Sequence, residues 1–325
     1  MRIWIRTATV VAFATLAAWL TLSIPNTVQA QAPAGAKGKG GKGFAQDPRA
    51  QTRTYHFEDT NEDLPYSLYV SSKVKKDQKT PLVVTLHGLG APQTIMMGKT
   101  AVDLAEEAGY ILVAPMGYNT GGWYGSPAFS GGPGRGKGKG APPAAPGTPP
   151  NSPNGAPDAA AKGPGDGAAK GKAGFGGFGG GNQPANLREL SEKDTMNVIA
   201  MVRKEFKVDD KRIYIMGHSM GGAGALFLGS KYPKMFAAVA AEAPAAFWQT
   251  RKETLQPLKD AQVPVIIVHG DIDEVVPVTN TQAWVDAMKE LKMKYEFIEQ
   301  PGITHGPVIE SGLKPIYEFF AKHKK

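Results

Sequence analysis

The stretch Arg212-Ile-Tyr-Ile-Met-Gly-His-Ser-Met-Gly-Gly222 runs from an apolar strand pattern straight into a glycine-flanked serine, and then into the small-residue helix pattern Gly222-Ala-Gly-Ala225. A serine hydroxyl is a poor nucleophile unless a sharp strand-to-helix turn presents it beside a base and backbone N–H donors. Side chains at 217 and 221 would collide with neighbouring backbone in such a turn, and both positions are glycine. A helix beginning at Met220 also aims its positive end at developing negative charge. A Gly-x-Ser-x-Gly string alone is a weak signal, and a glycine turn holding an inert serine is the plain alternative. Its strand–turn–helix setting makes Ser219 the candidate nucleophile.

Such a serine needs an imidazole, and the chain has six histidines. His56 lies in an opening strand and His323 in the basic tail. His87, His218 and His269 sit within turns at strand ends, which suits hydrogen-bonding scaffold roles. His305 follows the last strand in Gly302-Ile-Thr-His-Gly-Pro307, where glycine and proline indicate a projecting loop. It is the candidate general base and acid. An acid must orient that ring, and Asp271, Asp273 and Glu274 follow the strand Val265–Val268. Asp273 is the first choice and Asp271 its rival; a solvated turn or a casual calcium site is the plain alternative for this trio. The order Ser219, Asp273, His305 is that of α/β-hydrolases. Oxyanion donors are expected from the N–H of Met220 and from the His87-Gly-Leu-Gly90 turn, at Leu89 in preference to Gly88.

Apolar β-branched runs alternate with helical patterns along the rest of the chain. Thr52–Phe57 and Tyr66–Val70 read as an antiparallel pair with a turn at Asn61–Pro65, followed by strands at Leu82–Leu86, Ile111–Val113, Arg212–Met216, Ala237–Ala241, Val265–Val268 and Tyr295–Ile298. Helices are expected at Gln93–Ala108, Glu189–Phe206 (with a cap-like start at Ser191–Asp194), Met220–Lys231, Thr279–Leu291 and Lys314–Lys322. This predicts a mostly parallel central sheet of about eight strands with helices on both faces, with the site at the strands' C-terminal ends.

These residues resemble the α/β-hydrolase superfamily, specifically its exported single-domain serine esterases. These are the polyhydroxybutyrate-depolymerase-like and feruloyl-type enzymes, related to the catalytic domain of prolyl oligopeptidases. The resemblance is carried by His87-Gly-Leu-Gly90, Gly117-Tyr-Asn-Thr-Gly-Gly-Trp-Tyr-Gly125, Gly217-His-Ser-Met-Gly221, His269-Gly-Asp-Ile-Asp273 and Thr304-His-Gly306. It implies an aspartate three residues after the glycine of the His-Gly pair, which is Asp273. It also implies a serine carboxylic-ester hydrolase acting through an acyl-enzyme, with a peptidase or amidase of the same fold as the alternative and a non-catalytic surface-binding protein as the third reading. The departures are the absence of a propeller domain, the absence of cysteine and an unusual insert.

Composition bounds the rest. Of the 325 residues 42% are hydrophobic and none is cysteine, so the chain is globular, without disulfides or a thiolate metal site. Residues 31–50 and 131–185 hold 23 of the 40 glycines and are expected to be disordered, the second as an insert within one catalytic domain spanning 51–325. With residues 1–50 and 131–185 set aside, 25 basic and 26 acidic residues remain, so the body is nearly neutral and nucleic acid is not an expected partner. The basic Gly/Lys segments suit weak contact with an anionic surface.

Arg2 and Arg6 precede an apolar run, Thr7–Ile24, and Val28-Gln-Ala30 suits signal cleavage after Ala30. The protein is therefore expected to be periplasmic or secreted, with an uncleaved membrane anchor as the alternative. No metal or organic cofactor is expected. Trp123 and Tyr124, and Phe247 with Trp248, are candidate walls for a small or polymer-linked ester substrate, with ordinary loop packing as the plain alternative.

Overall fold

Eight strands are needed before the serine turn has a floor to stand on. The computed structural model describes residues 45–127 and 183–325, so the expectations for the export segment, for 31–44 and for 128–182 lie outside the described residues. The strands are β1 (Gln51–Phe57), β2 (Glu62–Val70), β3 (Thr80–Leu86), β4 (Ile111–Pro115), β5 (Val208–His218), β6 (Ala238–Glu242), β7 (Val265–Gly270) and β8 (Tyr295–Gln300). They form one sheet in the order β1-β2-β4-β3-β5-β6-β7-β8. Only β2 runs antiparallel to its neighbours, β1 and β4. Every residue of β3, β4, β6 and β7 is buried, as strands covered on both faces require.

Helices α1 (Lys99–Ala108), α2 (Leu187–Glu205), α3 (Met220–Lys231), α4 (Arg251–Asp260), α5 (Val278–Glu290), α6 (Val308–Ser311) and α7 (Leu313–Lys322) complete the layers. One core cluster joins α2, α3, α4 and α5 to one sheet face through Val198, Leu226, Leu258 and Trp284. The other joins α1 and α7 to the opposite face through Val102, Ile316 and Phe320. No helix of the described residues is long and apolar enough to cross a membrane.

The elements depart from the sequence expectations in several places. The β1–β2 turn is not at Asn61–Pro65: Glu62 to Pro65 are already in β2, with Pro65 opposite Thr54, and Asn61 adopts φ 55° at the turn's end. The helix expected at Gln93–Ala108 is broken at Gly98 into a 3-10 turn and α1. Ser191–Asp194 is no cap; α2 begins at Leu187, and Ser191 and Asp194 are buried within it. Helix α4 was not anticipated, because Pro257 and a mainly polar sequence hide an apolar edge of Leu255 and Leu258. Residues 45–50, placed in a disordered segment by composition, are packed: the Asp47 N–H donates to the Met97 carbonyl, and Arg49 binds Asp47 and Asp103.

Two buried carboxyls show opposite solutions to the cost of burial. Asp194 accepts from the Tyr55 hydroxyl at 2.6 Å and the Tyr118 N–H at 2.9 Å, tying α2 to β1 and to the loop after β4. Burial pushes its carboxyl up, and those hydrogen bonds oppose the push. Glu242, at the end of β6, is fully buried, and neither carboxylate oxygen has a partner among the described residues. Burial first, and the charge of Glu310 second, push it well above the usual carboxylate range.

Asp194→Ala removes the acceptor of the Tyr55 hydroxyl and the Tyr118 N–H, so urea unfolding should show a loss of about 2 kcal/mol; a loss near zero would exclude the tie. For Glu242 the folded state holds its proton more tightly than the unfolded chain. Its contribution to stability is therefore complete below the ordinary carboxylate range and is lost as pH rises. Glu242→Gln should accordingly melt above the parent at about pH 8, with the gap closing toward about pH 4; a gap that does not change with pH would exclude a neutral folded-state carboxyl.

Candidate active site

Strand β5 ends at His218 and α3 starts at Met220, so Ser219 alone makes the turn, with φ 57° and ψ −114°. This is a sparsely populated conformation for a residue with a Cβ, and it costs on the order of 1–3 kcal/mol. Neighbouring backbone holds it there: the Ser219 N–H donates to the Glu242 carbonyl at 2.8 Å, and the Ala245 N–H donates to the Ser219 carbonyl at 3.0 Å. The glycines on either side are needed for close packing. A Cβ on Gly217 would lie 2.3 Å from the Gly221 carbonyl oxygen, and one on Gly221 would lie 2.1 Å from that of Leu86. Met220 occupies the first helical position, so its N–H lies outside the α-helical ladder.

The loops after β7 and β8 bring Asp273 and His305 together. His305 donates from Nδ1 to Asp273 Oδ2 at 2.7 Å, which leaves Nε2 as the ring's other nitrogen. The second carboxylate oxygen of Asp273 accepts the N–H groups of Val275 and Val276 at 2.8 and 2.9 Å. His269 lies with Nε2 3.1 Å from Asp273 Oδ2, while its Nδ1 is 2.7 Å from the Thr281 hydroxyl. Burial acts to raise Asp273, but the hydrogen bonds from His269, His305 and Val276 outweigh it and hold the carboxylate well below its usual range. Its rival Asp271 does not face His305; its carboxylate accepts the Gly302 N–H at 2.7 Å, near the surface. Thr281 was not singled out in the sequence; its position one turn into α5, beneath His269, becomes evident only from the fold.

His218 connects the two halves. Its Nε2 donates to the His305 carbonyl at 2.9 Å, and the two rings lie 4.6 Å apart. Burial, reinforced by the proximity of His305, pulls the His218 imidazole down to about 3, so it is a neutral donor. His87 lies 2.8 Å from the carbonyls of both Gly88 and Met116 and is fully buried. All three turn histidines are thus engaged in hydrogen bonds.

The 88–91 turn abuts the serine: a Cβ on Gly88 would lie 3.4 Å from that of Ser219. The turn is closed by Ala91 N–H to Gly88 carbonyl and is held to the loop after β4 by Gly90 N–H to Thr120 carbonyl. Leu89 at its tip is half-buried. That loop carries Tyr118, Trp123 and Tyr124 at positive φ. Tyr124, expected as a substrate wall, is fully buried instead; its hydroxyl donates to the His87 carbonyl and its N–H to Ser191 Oγ. It supports the turn from beneath because Gly117 and Gly224 leave room for its ring. Trp123 and Trp248 are half-buried, and Trp248 donates to Thr254 Oγ1 while meeting Trp284 edge-on.

Residues 184–301 match the Esterase family model. Over 100 residues the chain is 32% identical to Cutinase 2 of Thermobifida cellulosilytica, covering 30% of this chain and 35% of that one. The chain therefore spans about a third of the length of the curated relatives it matches. It is similar to a ferulic acid esterase from Anaeromyces mucronatus, with TM-score 0.54 and 17% identity over 84% of this chain and 90% of that one. It is also similar to an S-formylglutathione hydrolase from Agrobacterium tumefaciens, with TM-score 0.55 and 14% identity over 85% and 95% of the two chains. By strand order, layering and these likenesses, the chain has the α/β-hydrolase fold.

Proposed function

We propose that this chain is an exported serine hydrolase that cleaves carboxylic esters through an acyl-enzyme intermediate. The observation that carries the reading is the 2.7 Å hydrogen bond from His305 to Asp273, on the loops after β8 and β7, in the sheet where β5, separated from β7 by β6 alone, ends in the strained Ser219 turn. The names of the similar proteins, a cutinase and a ferulic acid esterase, support ester chemistry.

In this mechanism Ser219 Oγ attacks the ester carbonyl as His305 Nε2 takes its proton. Asp273 fixes the ring with Nδ1–H toward itself, so Nε2 is free to accept, and its negative charge stabilises the imidazolium that forms. The oxyanion is met by the N–H groups of Met220 and Leu89, aided by the N-terminal end of α3. His305 then returns the proton to the departing alkoxide, and water repeats the sequence on the acyl-enzyme. The role for Asp273 depends on its staying ionised, and the bonds from His269 and Val276 maintain that charge. No metal or organic cofactor enters any step. Small or moderately sized acyl or aryl esters, free or attached to a polymer, are the proposed substrates, with Trp123 and Trp248 near the mouth.

Hydrolysis of p-nitrophenyl esters from acetate to long chains, by the protein and its Ser219→Ala form, tests the reading. Activity that falls at least about 10³-fold in the variant is expected; indistinguishable rates would sink it. Cleavage of matched anilides as fast as esters would move the assignment to an amidase. The two aspartates should separate: Asp273→Asn is expected to lower kcat by about 10³- to 10⁴-fold, whereas Asp271→Asn should stay within about threefold of the parent.

A further inference from the structure

The near-neutral net charge of the body conceals an uneven distribution. Three cavities lie at the N-terminal ends of the strands, the end opposite Ser219. The first, about 530 Å³, is lined by residues that include Ile213, Lys234 and Met235. The next, about 280 Å³, runs from Ala237 past Lys324 and Lys325 to Lys294, and the last, about 190 Å³, lies between Lys259, Lys292 and Lys294. The second and third share Gln262, Val263 and Lys294, and Lys325 Nζ reaches from the second to the carbonyl of Pro233, in the wall of the first. The second and third therefore form one trough beneath the starts of β6, β7 and β8, two strand spacings or about 10 Å long, with the first cavity beside it.

The charge in this trough is one-sided. Among the described residues no side-chain carboxylate lines it; the one in the first cavity, Asp210, is already paired with Arg203 at 2.7 Å, and Lys231 there pairs with Glu192. Lys234, Lys259, Lys292 and Lys294 are exposed, and none forms an ion pair among the described residues. Helix C-termini favour lysine, which accounts for Lys259, but Lys234, Lys292 and Lys294 lie in connections outside any helix.

We propose that this trough docks an acidic polysaccharide, a linear chain carrying carboxylate or sulfate groups. Unpaired lysines act as point charges that attract such groups without demanding a fixed geometry. A bilayer would call for apolar side chains to insert, and the exposed large hydrophobics of the described residues, Ile272 and Val275, lie at the opposite end. Single-stranded nucleic acid would call for free aromatic faces. Tyr232 is covered by Lys231 and bonded to Glu192, while His323 packs on Phe319 and contacts its carbonyl. Docking here leaves the Ser219 end of the sheet facing away from the polymer.

Binding of the full chain to immobilised polygalacturonate at about 50 mM salt tests this. Lys259→Glu/Lys292→Glu/Lys294→Glu is compared with Lys99→Glu/Lys193→Glu/Lys314→Glu, which changes charge equally at positions outside the trough and so accounts for the basic segments at 31–44 and 128–182. The trough variant should lose at least about tenfold in affinity and the control less than about threefold, with unchanged p-nitrophenyl acetate hydrolysis in both. In the unmutated chain, polygalacturonate should protect Lys292 and Lys294 from amine acylation, a readout that does not depend on how the variants fold. Equal losses in the two variants, or unprotected lysines, would overturn the proposal. So would single-stranded DNA or anionic vesicles binding as tightly as polygalacturonate with the same dependence on the trough lysines.

Discussion

One residue in an unfavourable conformation organises this structure. Ser219 is held at positive φ by hydrogen bonds to the end of β6 and from the segment after it, and by two glycines whose hydrogens alone fit against Leu86 and the turn itself. Strain of this size persists only where the surroundings over-determine the backbone, and here β3, β5, β6 and α3 all contribute. Strands β3 and β6 and the C-terminal half of β5 are buried on both faces, so apolar burial across the sheet offsets a local cost at its edge. Glu242 belongs to the same constraint, since its backbone carbonyl holds the serine while its side chain is buried without a partner among the described residues. Buried polar groups left unsatisfied concentrate where function shapes a fold.

The site is assembled from loops that share few contacts with the serine in sequence, and hydrogen bonds supply the missing order. His218 does this for His305 by gripping its carbonyl, so the residue beside Ser219 sets the height of the loop carrying His305. His269 and Thr281 do it for Asp273. The neutral imidazole of His218 suits its task, because it has one donor to spend on a fixed acceptor and adds no charge beside the ring of His305.

What was legible in the sequence followed from distance along the chain. The turn around Ser219 is encoded by eleven consecutive residues, so pattern and chemistry coincide there. Asp273 and His305 stood out because each follows a strong apolar strand and because few histidines competed for the role. Interactions that need two remote segments gave no such signal. Ser191 and Asp194 sit where a helix cap would, yet their partners are Tyr124, Tyr55 and Tyr118, whose approach depends on the finished sheet. Tyr124 looked like a substrate wall because it is aromatic and near a strand end, but Gly117 and Gly224 open a buried slot that takes the ring instead. Helix α4 was hidden for a different reason: its ten residues bury only Leu255 and Leu258, too little periodicity to outweigh an internal proline.

Charge was the least legible property, because a net value is a sum without position. In a mostly parallel α/β sheet, the helices returning between strands start near the strands' C-terminal ends and finish near their N-terminal ends. Their positive ends therefore converge on the edge that carries Ser219, and their negative ends on the opposite edge. Lysine in the last turns of α3, α4, α5 and α7 answers that field, as Lys231, Lys259, Lys289 and Lys322 do. At the other edge lie Asp271, Asp273 and Glu274, so the side chains polarise the molecule in the sense opposite to its helices. The lysines between elements, Lys234, Lys292 and Lys294, exceed what helix ends call for. One topology thus creates two chemically distinct edges, and a body close to electroneutrality can present an acidic end that carries Ser219 and a cationic end at once.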